Sequence, residues 1–294
     1  YSGSVFYYCP ITSVTIGPGV TAPETIIDLF QDCDSTSWTN ISLSGTSSYF
    51  SVSSYVLYDK NKTKLIKCPS GKSGSFSIPS TVTSVADHAF RHCTKLTSLT
   101  IPTSVVSMGY YAFYQCSGFT SVNYSGTISN WLNINFAGWN ANPMCSTNQD
   151  ASLYLNGTLL TSVTLPNTVN QFVFQGCQKL TTVTVPSTVT NIGTNAFSGT
   201  GVTAVYYGGT LEGWLSNITF VSAGSNPLIN GKGTLYINNV AVTSVTIPNS
   251  INTISNGVFA GYAKLYPRYR CAHFWCILLS AQSRRRPRRG KGTV

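Results

Sequence analysis

Apolar and hydroxyl-bearing residues alternate in one short phrase that returns along the chain. It reads L-T-S-L-T-I-P from Leu96 to Pro102, L-T-S-V-T-L-P from Leu160 to Pro166, L-T-T-V-T-V-P from Leu180 to Pro186 and V-T-S-V-T-I-P from Val242 to Pro248. Ser75–Pro79 is a shorter copy, and Ile11–Gly17 carries Gly in place of Pro. A second phrase, Phe-x-x-Cys, alternates with the first at Phe6/Cys9, Phe30/Cys33, Phe90/Cys93, Phe113/Cys116 and Phe174/Cys177, with degenerate copies at Phe197/Thr200 and Phe259/Tyr262. Pro79 to Pro102 is 23 residues, as is Cys93 to Cys116, and Pro166 to Pro186 is 20.

Each phrase predicts an element. Alternation over Leu99-Thr100-Ile101 predicts a short half-buried strand, and Pro102 ends it because proline donates nothing to a ladder. Val105 and Met108 point inward on the return, Gly109 permits a turn, and Ala112, Phe113 and Cys116 fill the far side of the core. One such unit cannot bury its apolar face alone, but a stack can. Phe6/Cys9 reads as the end of a unit, so the stack is expected to begin in mid-repeat.

Three stretches interrupt the period. Residues 34–74 hold Tyr55-Val-Leu-Tyr58 and Leu65-Ile-Lys-Cys68 on either side of Asp59-Lys-Asn-Lys62, which predicts a hairpin with a polar turn. Residues 125–159 and 208–241 read as a paired insertion. Trp131-Leu132, Asn142-Pro143 and Leu153-Tyr154-Leu155-Asn156 return as Trp214-Leu215, Asn226-Pro227 and Leu235-Tyr236-Ile237-Asn238.

Together the L-T-S-V-T-I-P and A-F-x-x-C phrases, over roughly residues 3–265, resemble the BspA-like leucine-rich-repeat family. The resemblance implies a repeat solenoid: a leucine-rich-repeat horseshoe, mostly β, with short helical or 3-10 turns on the convex side and hairpin insertions. It also implies a secreted or surface-attached protein that adheres to host proteins or to other cells, hence an extracellular or cell-surface location.

Charge divides the chain into residues 1–265, the solenoid, and residues 266–294. The net charge of +10 is uneven. Residues 1–265 hold all eight acids and ten Lys and Arg, for +2, whereas residues 266–294 hold seven Arg and one Lys, for +8. A near-neutral body lacks the basic footprint of a nucleic-acid binder, so no nucleic-acid partner is expected. The tail breaks the repeat pattern and reads as disordered or non-native sequence. No stretch approaches the ~20 apolar residues of a membrane span, so no membrane insertion is expected.

Candidate chemistry is thin. Five of nine cysteines share one repeat position with Thr and Tyr, which predicts small buried thiols, mostly free; stacked Cys93 and Cys116 are near enough in the pattern to pair. Cys271 and Cys276 flank His273 without a second ligand pair. His88 and His92 would share a helix face, but the Glu of H-E-x-x-H is absent and both sit at variable repeat positions, so they read as surface residues. Gly199-Thr-Gly201-Val-Thr-Ala204 matches a dinucleotide fingerprint by letters yet precedes a strand, and Gly71-Lys72-Ser73 lacks the first Gly of a P-loop. Five N-x-[ST] sequons begin at Asn40, Asn61, Asn123, Asn156 and Asn217. No catalytic set, metal site or cofactor is expected, and the chain reads as a non-enzyme.

What remains is surface. In the strand phrase the residues between inward apolar positions face outward on the concave sheet. One row reads Thr15, Ser77, Thr100, Asn123, Thr164, Thr184, Tyr206 and Thr246, and a parallel row reads Ser13, Ser98, Ser121, Ser162, Thr182, Ala204 and Ser244. Thr is also simply a good exposed strand residue. Asn123 and Tyr206 break the monotony at matching places, each before a Trp-bearing stretch. Trp131, Trp139 and Trp214 then belong either to a contact surface or, for Trp131 and Trp214 especially, to the core. The candidate ligand-binding set is therefore Thr100, Asn123, Thr164, Thr184, Tyr206 and Thr246. The leading reading is an adhesion module for an extracellular protein or glycan. The alternatives are a structural spacer presenting another domain and, behind it, a glycan-active enzyme.

Overall fold

The computed structural model describes residues 9–21, 26, 29, 30, 33, 36–145 and 151–262. The basic tail and its Cys271/Cys276 pair lie outside the described residues. The chain winds as a stack of units, each contributing a strand to a long-strand face and, from β7 on, a two-residue strand to the opposite face.

β1 (Ser13–Ile16) and β2 (Asn40–Leu43) pair in parallel on the long-strand face. Within the 34–74 stretch, β3 (Phe50–Ser53), β4 (Val56–Asp59) and β5 (Lys64–Lys67) form an antiparallel meander, as the hairpin pattern predicts. Its turn is closed by Asp59, whose carboxylate accepts from the Thr63 and Lys64 amides and the Thr63 hydroxyl. The meander does not stand apart: β5 pairs in parallel with β7 (Ser84–Val85), which pairs with β9 (Ser107–Met108) and, through it, with β11 (Asn135–Phe136). It therefore extends the short-strand face.

On the long-strand face β6 (Gly74–Ser77), β8 (Leu96–Ile101), β10 (Ser121–Tyr124) and β12 (Ser152–Leu155) run parallel. β13 (Thr158–Leu159) folds back antiparallel on β12. Its Asn156-Gly157 turn takes φ of 47° and 79°, the left-handed pair that a two-residue hairpin requires. A second set then begins: β14 (Ser162–Thr164), β16 (Thr182–Val185), β18 (Ala204–Tyr207) and β20 (Thr234–Ile237) in parallel, closed by antiparallel β21 (Val240–Ala241). Opposite them lie β15 (Thr168–Val169), β17 (Asn191–Ile192) and β19 (Thr219–Phe220). Both faces are thus broken at the end of the first Trp-bearing stretch, and the long-strand face is broken once more between β2 and β6.

Residues 125–159 and 208–241 are enlarged units whose own strands, β12 and β20, continue the long-strand face. The breaks correct one expectation: the outward row is not continuous. It runs Ser77–Thr100–Asn123–Tyr154 on one sheet and Thr164–Thr184–Tyr206–Tyr236 on the other, while Thr15 pairs with Ser42 apart from both, on β1–β2. Thr246 joins neither: β21 occupies the open edge of β20, and residues 242–248 form no ladder strand.

The side joining the two faces is made of turns, with a geometry the helical reading of His88 and His92 missed. Each A-F-x-x-C phrase places two residues four apart in the left-handed region: His88 and His92 (φ 57° and 63°), Tyr111 and Gln115 (52° and 57°), Phe172 and Gly176 (58° and 76°), Asn195 and Gly199 (51° and 73°). Alternate amides then point at the next unit. His88, Phe90 and His92 donate to the carbonyls of Tyr110, Ala112 and Tyr114 at 2.9, 2.8 and 2.9 Å, and Phe172, Phe174 and Gly176 do the same to Thr194, Ala196 and Ser198. A helix would spend those amides within itself; this turn spends them on stacking.

The core is the stack's interior. Phe90 and Phe113 lie 5.0 Å apart and near-parallel, and Phe174 and Phe197 lie 5.2 Å apart at 30°. Cys68, Cys93, Cys116 and Cys177 are buried with free thiols; Cys33 and Cys145 are buried too, and Cys9 is half-buried. The Cys93–Cys116 pairing left open by the repeat spacing is not formed.

Candidate functional site

The candidate row is held by strands whose inward neighbours are fully buried. Leu99, Val122, Val183 and Val205 are closed off on one side. Thr100, Asn123, Thr184 and Tyr206 stand half-buried on the other, and Thr164 is exposed. The Asn123 amide donates to the Ser98 hydroxyl at 3.2 Å, and the Ser121 hydroxyl donates to the same oxygen at 3.0 Å, so the two outward rows are laced together. On the second sheet the Tyr206 ring stacks on Tyr236 at 4.8 Å and 16°, one strand spacing apart. Sequence reading had Tyr206 but left out Tyr154 and Tyr236, because it assigned β12 and β20 to insertions. The signal was available: Leu-Tyr-Leu and Leu-Tyr-Ile alternate like any strand phrase.

Trp131 and Trp214 belong to the core, not the surface; both are fully buried. Each sits on a short helix, α1 (Ile128–Leu132) or α2 (Leu211–Ser216), capped by Thr127 or Thr210. Trp131 packs on Tyr124 and Phe136 at 5.3 and 5.5 Å; Trp214 packs on Tyr207 and Phe220 at 5.4 and 5.5 Å. The indole N–H of Trp131 donates to the Val173 carbonyl and that of Trp214 to Val258. The same carbonyls accept from the Asn142 and Asn226 amides, which also reach Phe172 and Gly257, while their side-chain oxygens accept from the Met144 and Leu228 amides. The W-L and N-P motifs are thus one device that fastens an enlarged unit to the turn of the next. The first copy adds two links where the short-strand face is broken: Asn170 to the Leu132 carbonyl and Gln171 to that of Phe136.

Trp139 is different, being 57% exposed. His88 and His92 converge on Arg91, whose guanidinium meets their ring nitrogens at 3.2 and 3.3 Å and lies over the Tyr114 ring at 5.1 Å. No group of three or more potential metal ligands gathers among the described residues, and no helix there is long and apolar enough to cross a membrane. Burial raises the thiols of Cys68, Cys116 and Cys177 above their ordinary range, away from reactive thiolate character.

A model of the BspA-type leucine-rich repeat region matches six copies over residues 70–147 and 150–265. The chain belongs to that family. No curated protein matches it. Among solved structures, a leucine-rich cell surface protein from Faecalibacterium prausnitzii is 23% identical (TM-score 0.38; 72% of this chain, 64% of that one). A leucine-rich repeat protein from Eubacterium ventriosum is 20% identical (TM-score 0.44; 90% and 62%). The pneumococcal vaccine antigen PcpA is 16% identical (TM-score 0.41; 77% and 51%). This BspA-type chain therefore spans under two thirds of the length of each of these proteins.

Proposed function

We propose that the chain is a non-catalytic binding module of a cell-surface or secreted protein, taking an extracellular protein or glycan on its long-strand face. The observation that carries this reading is the stacked Tyr206–Tyr236 pair on a hydroxyl-rich sheet. Thr would serve these strands equally well, as it does at Thr164 and Thr184. Amphipathic rings with their hydroxyls toward solvent are what a protein interface uses as anchors. The family membership supports the repeat architecture on which such a face is displayed. The described acids favour binding over catalysis, since Asp59, Asp87 and Glu212 are each engaged locally, with Thr63, the Tyr110 amide and Ser250.

The test is binding of the purified chain to immobilised matrix proteins and glycans, beside an Asn123→Lys/Tyr206→Lys double variant. Saturable binding that the variant loses supports the reading. A chain that saturates on none of them is the structural spacer instead, and hydrolysis of any glycan offered would move the chain to the enzyme class.

A further inference from the structure

A second surface lies away from the tyrosine rows. Tyr110 and Trp139 occupy the same turn position in successive units, just before the left-handed residues Tyr111 and Asn140. They are 52% and 57% exposed. The same position is Gln171 and Thr194 further along. Large rings are thus no requirement of the turn. They are confined to two neighbouring units.

What they border is specific. The Cδ1–Cε1 edge of the Tyr110 ring lies against Gly138, where a Cβ would come within 2.3 Å of it, so Gly138 is the notch that seats it. Trp139 follows directly. An open depression of about 410 Å³ runs along the short-strand face, and two residues of its lining, Gly109 and Ala137, precede Tyr110 and Trp139 by one and two positions in the chain. That volume falls in the range of small-ligand sites, about 300–1,000 Å³. Its polar lining is Lys64, Ser84, Asp87, Ser107 and Asn135. Asp87 is positioned by accepting the Tyr110 amide at 2.7 Å.

We propose that this depression and its two aromatic rings bind a short neutral oligosaccharide. The ligand class follows from the lining. Amide, hydroxyl and carboxylate groups offer donors and acceptors to sugar hydroxyls. One lysine and one aspartate leave the groove without net charge, which gives no advantage to sulfated or acidic glycans. The exposed rings suit the C–H faces of pyranose rings. The inference is independent of the long-strand reading, because none of these residues lies on that face.

The experiment is titration of the purified chain with cello-, manno-, xylo- and galacto-oligosaccharides and with a sulfated oligosaccharide, read by calorimetry and tryptophan emission. Trp38, Trp131 and Trp214 are fully buried, so in a Trp275→Phe background a ligand at the groove alters emission through Trp139. One neutral series is expected to bind saturably. Trp139→Ala and Tyr110→Ala should each weaken it by at least about tenfold, with the fold intact by circular dichroism; if Tyr110→Ala disturbs its notch, Trp139→Ala decides alone. Asn123→Lys/Tyr206→Lys should leave this binding unchanged. The proposal is overturned if no neutral series saturates, if only the sulfated probe binds, if Trp139→Ala binds normally, or if the Asn123/Tyr206 variant abolishes the signal.

Discussion

Residues 121–159 and 204–241 run the same course: strand, capped helix, buried tryptophan, two-residue strand, Asn-Pro turn, strand and fold-back hairpin. Inside, every contact of the tryptophan recurs with nearly the same geometry. Outside, the copies differ. The first shows Asn123 on the long-strand face and Trp139 on the turn; the second shows Tyr206 there and Ala223 at the turn. Core packing and cross-unit hydrogen bonds tolerate little variation, while outward positions are released from that constraint. Function in a repeat protein is therefore sought where copies disagree, and stability where they agree.

The agreement can be broken at two glycines that share a conformation but not an environment. Gly176 (φ 76°) and Gly199 (φ 73°) occupy the same turn position in successive units. A Cβ at Gly176 would sit 1.5 Å from the Met144 carbonyl oxygen, whereas at Gly199 the nearest atoms are 3.6 Å away. Gly176→Ala should therefore cost about 3 kcal/mol or more, and Gly199→Ala only the left-handed penalty of about 1–2 kcal/mol. Urea denaturation of both decides the point; equal losses would mean that φ alone matters.

The Asn-Pro device offers the next largest effect. Asn142→Ala removes three buried hydrogen bonds and leaves the Phe172 carbonyl without its side-chain donor; about 2–3 kcal/mol is expected. Its location matters as much as its size. Asn142 joins the two strand sets, while Asn226 joins the second set to residues 257–258. In a quasi-one-dimensional stack, coupling runs between neighbours. Asn142→Ala should separate the unfolding of the two sets, visible as two transitions by hydrogen exchange. Asn226→Ala should loosen only the turn around Gly257. A single cooperative transition in Asn142→Ala would show that the core holds the halves together without it.

Much of this fold was legible because the repeat phrase states strand, stop and turn in order. Leu99, Val122, Val183 and Val205 are inward as the alternation requires, and the buried cysteines are where the Phe-x-x-Cys phrase puts them. Left-handed turns were not legible, because Tyr111 and Phe172 are unusual occupants of that region. The Asn140, Asn195, Gly176, Gly199, Gly257 and Gly261 copies do signal it. The break in the outward row was hidden too: Asn156-Gly157 announces a hairpin, but local pattern does not say which edge the hairpin will cover. Thr246 was misplaced for that reason. The aromatic groove was invisible because Lys64, Asp87 and Asn135 come from three units and meet only through the short-strand pairing.

The smallest effect is a pH dependence, in which Lys67→Met separates the two halves. The first holds Cys68, Cys93, Cys116 and Cys145 in one buried row; in the second, Thr200 and Tyr262 take the place of most thiols. Burial, with neighbouring Cys93 and Cys145 adding to it, pushes the Cys116 thiol well up; burial and Cys93 do the same for Cys68. An acid whose folded pKa is raised keeps its proton longer in the fold. Its stabilising contribution is complete below the unfolded value, about 8.5, and is lost as pH rises above it. Lys67 opposes this. Buried, with its ammonium on the His88 carbonyl at 2.8 Å, it has a lowered pKa. Unfolding there takes up a proton, so its term gains stability as pH rises toward about 10.4. In the second half burial raises the Cys177 thiol as well, with no buried lysine against it among the described residues, so both halves lose stability at alkaline pH. Between pH 8 and 10 the melting of both should fall, followed by hydrogen exchange of each. Lys67→Met, which removes the opposing term, should steepen the fall in the first half; a shallower slope in that variant would mean that the thiols do not govern the alkaline limb.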